Sequence, residues 1–148
     1  MYTPHTVTIY NVTEQEDYTP IYNVTVIKGV LLDASKGSNV LKSGLENADS
    51  VRMFIPFSAT ALNGKTGEEQ SYLPPKLYDN AVDKTRHWTL RTSGATSATA
   101  CFFVKGEVIE EGSYGAIDSL YDDVYRVSSV DEKDFGTPDM QHWEVGGR

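Results

Sequence analysis

A chain of 148 residues with 39% hydrophobic and 11% aromatic side chains has the size and apolar content of one domain with one core, which excludes disorder throughout. The formal net charge of −8 repels phosphate backbones and disfavours direct sequence reading of DNA. One cysteine excludes an intramolecular disulfide and a thiolate zinc cluster; no basic, apolar leader opens the chain, and no apolar run nears the roughly 18 residues of a membrane span. A soluble, intracellular product is expected.

Alternation of period two marks the strands in chain order. TVTIY (Thr6 to Tyr10) puts Val7 and Ile9 on one face. YNVTVIKGVLL (Tyr22 to Leu32) alternates through Val24 and Val26 and shifts phase at Ile27 to Gly29, which predicts a bulge or bend. The two NVT triplets, at Asn11 and Asn23, match a glycosylation acceptor formally, but without a leader they are read as chance. DASKGSNVLKSGLENAD (Asp33 to Asp49) then reads as a long polar loop. SVRMFIPF (Ser50 to Phe57) presents Val51, Met53, Ile55 and Phe57 together, and Pro56 confines that end to an edge or to the strand's exit.

SATALNGKTGEEQSY (Ser58 to Tyr72) reads as a second long loop, and PPKLYDNAVDK (Pro74 to Lys84) as the best helix, with proline at its start. RHWTLRT (Arg86 to Thr92) points Trp88 and Leu90 inward. TSGATSATA (Thr92 to Ala100) has the composition of a hairpin tip. CFFVKGEVIE (Cys101 to Glu110) is a fifth strand, and Cys101 is read as a small buried hydrophobe. A shorter helical turn is expected in AIDSLYDD (Ala116 to Asp123). DVYRVSSV (Asp123 to Val130) and QHWEV (Gln141 to Val145) complete seven strands, the last with Trp143 and Val145 on one face and His142 and Glu144 on the other. The fold class is all-β: one domain over 1–148, a small β-barrel or sandwich of about seven strands with long loops and at most one short helix.

Chemistry is scarce. His5, His87 and His142 stand apart with no metal-ligand spacing, and neither a nucleophile elbow nor a phosphate-binding glycine loop is present. No catalytic, cofactor-binding or metal-binding residue is assigned, and no cofactor is expected. Adjacent Asp122 and Asp123 would point to opposite faces of a strand. A stand-alone ligand-binding or hydrolytic β-barrel would need both to converge with His142 on one pocket. The charge is uneven: Glu107 to Asp139 holds ten acidic residues against Arg126 and Lys133, which accounts for the whole excess.

The ordered set TVTIYN, YNVTVIKGVLL, YLPPKLYD, WTLRT, FFVKGEVIEE and DDVYRVSSVDEKDFGTPDMQHWEVGGR resembles the minor capsid or head-closure (head-tail connector) proteins of tailed bacteriophages and prophages. The resemblance spans most of the chain, and its specificity lies in the order of the pieces. It implies a non-enzymatic virion protein of the neck: a small β-barrel in a dodecameric ring, with portal and adaptor above and tail proteins below. Double-stranded DNA would pass through without sequence-specific binding. The protein would be made in the host cytoplasm and located in the virion. Adaptor and tail-completion proteins are similar in size and close in assembly, so those roles stay open.

On this reading the long loops are arms between neighbours, with Lys36, Asn39 and Lys42 in the first and Asn63 and Lys65 in the second as candidate contacts. His142 and Glu144 would be the outward face of a last strand that closes the sheet edge, and the terminal GGR a flexible end. Asp122, Asp123, Asp131 and Glu132 are the candidate acidic face, lining a lumen or docking a basic partner.

Overall fold

The structure, a computed structural model, describes residues 2–35, 38–41, 44–47, 50–92 and 100–148, with the backbone alone for 35–47. The strands are β1 (His5–Glu14), β2 (Pro20–Ser35), β3 (Ser38–Leu41), β4 (Gly44–Asn47), β5 (Ser50–Pro56), β6 (Thr60–Asn63), β7 (Ser71–Tyr72), β8 (His87–Trp88), β9 (Phe102–Lys105), β10 (Val124–Lys133) and β11 (His142–Gly147). Two five-residue helices, α1 (Pro75–Asp79) and α2 (Tyr114–Asp118), join them, one more than the sequence suggests. Ser113 caps the second, its hydroxyl accepting from the Ala116 amide.

The main hydrogen-bonded order is β1-β9-β10-β11-β5-β2-β6, and β1 also pairs β2. Two long strands carry this arrangement. The first part of β2 pairs β1 and β6, whereas Leu31 to Ser35 pair β5; β10 pairs β9 through Val124 to Arg126 and β11 from Val127 onward. The result is an all-β, sandwich-like body with a filled interior, its first sheet made by β1, β9, β6 and the adjoining parts of β2 and β10, its second by β5, β11 and the remaining parts of β2 and β10. Gly29 supplies the phase shift in β2. His5 opposes Val30 while Thr6 opposes Lys28, so Gly29 is the extra residue, at a φ of 88° that suits glycine.

The interior joins Val7, Ile9, Ile27, Val51, Met53, Ile55, Phe103, Tyr125, Val127 and Val145. Trp88 and Leu90 join it from a segment outside the main strand order. Trp88 meets Trp143 edge-on at 5.4 Å, and Tyr72 and Phe57 lie 4.5 and 4.4 Å from the Trp143 ring. Buried polar groups seal that segment: Asn11 donates to the Thr89 carbonyl and accepts from the Thr89 amide, and Gln70 bonds Thr25 and the Thr85 carbonyl. Asn11, 2% exposed, is thus a fixed part of the interior, and Asn23 donates to the Tyr78 hydroxyl. Neither amide is offered for glycosylation.

A second core lies on the outer face of the first sheet. Tyr10, Val24, Phe102, Val104 and Val124 are covered there by Val108 and Ile117 of the β9–β10 connection. Strand β9 is therefore buried on both faces. It ends at Lys105, because Gly106 turns the chain at a φ of 97°, and the expected continuation to Glu110 does not form.

Other expectations are corrected by pairing. Arg86 to Thr92 contributes only the two-residue β8, parallel to β7. Its place in the main sheet is taken by β6, from the stretch read as the second loop. The first loop carries β3 and β4, which pair with each other, Val40 opposite Leu45. The terminal strand is no edge, since β11 lies between β10 and β5. The last residues are likewise held: Arg148 exchanges both backbone hydrogen bonds with Arg126, and a Cβ on Gly147 would meet Val51 Cγ1 at 2.9 Å and the Arg126 carbonyl oxygen at 3.0 Å.

Candidate interaction site

At two places, one at each end of β10, apolar or aromatic side chains stand beside charged ones. The first is the turn from β10 to β11. Phe135 and Met140 are 70% and 61% exposed, amid the exposed Asp131, Glu132, Asp134 and Asp139. The turn is internally bonded. Pro138–Met140 form a 3-10 turn, the Met140 amide donates to the Thr137 carbonyl at 2.8 Å, and Gln141 Nε2 donates to the Gly136 carbonyl at 3.3 Å. Gly136, at a φ of 86°, permits the reversal. His142 Nδ1 donates to the Met140 carbonyl at 2.9 Å, which fixes its tautomer, and its ring lies 5.8 Å from Phe54.

The second place is a cleft of about 220 Å³ where β10 begins, walled by Tyr22, Phe102, Tyr114 and Arg126. The Arg126 guanidinium sits 4.1 Å above the Tyr114 ring centre, a cation–π contact. Burial raises the Tyr114 phenol above its ordinary range; Asp118 adds to the shift and Arg126 opposes it. Nearby, the Glu110 carboxylate is held below its usual range by the hydrogen bond it accepts from Tyr121.

The sequence-predicted residues divide between these places and the scaffold. Asp131 opposes Glu144 across β10 and β11, and Glu144 is ion-paired with Arg52 of β5. With His142 they share the outer face of the second sheet. Asp122 and Asp123 instead precede β10 at its other end, the Asp123 carboxylate accepting from the Tyr125 hydroxyl at 3.2 Å. Ten residues separate Asp123 from Lys133, the partner of His142, which is about 33 Å of extended strand. Glu132 opposes Trp143 and so lies on the other face of β10 from Asp131; the four acidic candidates thus share no single face, and Asp122, Asp123 and His142 do not form a pocket.

Asn63 is a turn residue: its Oδ1 accepts from the Lys65 and Thr66 amides, and its Nδ2 donates to the Thr85 carbonyl. Lys65 is ion-paired with Glu111 at 2.8 Å. Lys36 and Lys42 lie outside the described residues, and of Asn39 only the backbone place in β3, opposite Glu46, is given. His5 Nδ1 accepts from the Leu32 amide, and His87 bonds Ser71. Among the described residues no three histidine, cysteine or acidic side chains are grouped to hold a metal. No helix among them is long and apolar enough to cross a membrane.

Phe135, Met140, Tyr22 and Tyr114 escaped the sequence reading. Phe135 and Met140 carry a readable signal, since both stand in a polar turn bounded by glycine and proline, outside any alternating run. The Tyr114 cleft has none, because its walls come from β2, β9, α2 and β10.

The fold defines an all-β, sandwich-like domain. Residues 2–148 match the model of DUF6751, a family of unknown function, and the chain belongs to that family. No curated protein and no solved structure matches it.

Proposed function

We propose that the protein is a non-enzymatic structural component of the neck of a tailed-phage or prophage particle. Copies form a ring that closes the DNA-filled head beneath the portal and adaptor and gives the tail its attachment site. The observation that carries this reading is the ribbon made by β2 and β5. Its last pair is Ser35 opposite Ser50, and the chain between those residues carries the β3–β4 hairpin, which pairs with no other strand among the described residues. A two-stranded hairpin is marginal alone in water, so such an extension gains its partners by association. The collinear resemblance to head-closure proteins supports the virion assignment. Commitment of Asn63, Lys65, Glu144 and the histidines to the scaffold supports a structural role. The net negative charge suits a conduit that double-stranded DNA passes without being adsorbed.

The test is to inactivate the gene in a phage or inducible prophage that carries it and to image the particles. Heads that package DNA and lose it, beside unattached tails, are expected. Heads that retain DNA beside free tails would reassign the protein to tail completion. Infectious particles lacking it would overturn the neck assignment.

A further inference from the structure

We propose that copies of this chain bind one another head to tail, the β10–β11 tip of one copy seating Phe135 and Met140 in the Tyr114–Arg126 cleft of the next. The inference rests on the ring reading above and specifies which surfaces meet.

The tip has the properties of a knob. Two large apolar side chains project from a turn whose own hydrogen bonds hold its shape, so little ordering is lost on docking. Asp134 and Asp139 stand in the same turn, and Asp131 and Glu132 precede it on opposite faces of β10. The cleft is the complementary partner. Tyr22, Phe102 and Tyr114 line it, its volume is about 220 Å³, and Arg126 is the charged side chain among its walls, with Asp118 close to Tyr114 outside them. Arg126 and Arg148 are directly opposed neighbours, and neither guanidinium has a carboxylate within ion-pair distance among the described residues. Opposed like charges are unfavourable until an anion joins them, and the tip supplies anions.

The occupant must be another copy. Residues 126 and 135 stand at opposite ends of β10 and its turn, roughly 30 Å apart in extended chain, so a molecule cannot fill its own cleft. Two tips meeting each other would oppose like charges. A contact between different surfaces is heterologous, and repeated heterologous contacts close into a ring when the rotation allows.

Sedimentation of the full chain across concentration and salt tests this with two exposed-site variants. Phe135→Ala/Met140→Ala lacks the knob, and Arg126→Glu reverses the rim. Wild type should self-associate with concentration and less so in high salt, while each variant alone should associate at least roughly tenfold more weakly with unchanged circular dichroism. An equimolar mixture of the variants should form dimers and nothing larger, because only one intact knob and one intact cleft remain to meet. Arg148→Glu provides a second rim variant should Arg126→Glu misfold. A wild-type chain that stays monomeric at its highest soluble concentration, variants that assemble like wild type, or a mixture without dimers would each overturn the contact. The gene-inactivation experiment reads the neck assignment separately, so a ring built through other surfaces would remain distinguishable.

Discussion

Both faces of the first sheet are buried, but by different means. The interior face is closed by strands from all parts of the chain and by the Trp88 segment, whereas the outer face is closed by one local connection around α2. Losing a contact in the first should loosen the whole molecule. Losing one in the second should lift a flap. The comparison teaches that equal burial need not mean equal cooperativity, since local units can open below the global free energy.

Trp143→Ala tests the interior and should have the largest effect. The indole is 6% exposed and touches Trp88, Tyr72 and Phe57. Truncation should cost about 3–5 kcal/mol, read as a lower denaturant midpoint with protection falling in every strand. Loss of protection confined to β11 would break the comparison.

Ile117→Ala tests the flap. Ile117 is 1% exposed in the outer core, and its loss should cost about 2 kcal/mol, the low end for such truncations, because the connection can settle. Hydrogen exchange should accelerate from 106 to 123 and stay slow in β5 and β11. Equal acceleration everywhere would merge the two cores into one unit.

How much of this was legible follows the same division. The interior face of β1, β2, β5, β10 and β11 could be read from alternation, and Trp88, Leu90, Trp143 and Val145 are buried as their positions predict. The outer core was hidden because a strand buried on both faces loses its alternation: Phe102 to Val104 is apolar throughout, and nothing local says what covers it. Strand β6 was hidden in a different way. ATALNGKTG is polar enough for a loop, and it becomes a strand only because β2, continuing past the β5 pairing, offers it an edge. The acidic segment was legible as a charge count but not as a surface. A ten-residue strand separates its ends, and only pairing shows that Asp131 belongs with Glu144 while Asp123 belongs with Tyr125.

Gly147→Ala sharpens the interior side of the comparison. The added methyl would meet a backbone carbonyl and the Phe103 ring at 3.0 Å, neither of which can swing aside as a flexible side-chain end would. A loss of about 1–3 kcal/mol is expected from such overpacking. An unchanged melting temperature would show that the terminus can peel away without disturbing the core.

Cys101 supplies a pH test of the same interior. The thiol is fully buried, accepts from the Arg91 amide and donates to the Arg91 carbonyl, and burial pushes its pKa up to about 12. The unfolded thiol titrates near 8.5. Because the folded pKa is raised, this contribution is complete below about pH 8.5 and is lost as pH rises toward about 12. By pH 9 the loss should be less than about 1 kcal/mol. Burial raises the phenols of Tyr10, Tyr72 and Tyr78 in the same direction, so the comparison is with Cys101→Ser, whose alkaline slope should be shallower. A thiol reagent that labels the native protein at pH 8 as fast as the unfolded one would contradict the burial itself.

The smallest expected effect lies outside both cores, and its sign is the informative part. Asp131 directly opposes Glu144, while Arg52 of β5 pairs with Glu144 from the other side. Arg52 has one carboxylate well placed and a second across the ladder, and the two carboxylates repel each other at cross-strand distance. Asp131→Asn should therefore stabilise the isolated chain by about 0.2–1 kcal/mol, because it removes the repulsion and leaves the ion pair. High salt should abolish the gain, since exposed charges are screened within about 3 Å at 1 M. The same substitution removes one carboxylate from the knob, so it should weaken self-association while raising the melting temperature. A carboxylate retained for the fold would lower both. Opposite movement of stability and association is what separates a charge kept for contact from one kept for the sheet.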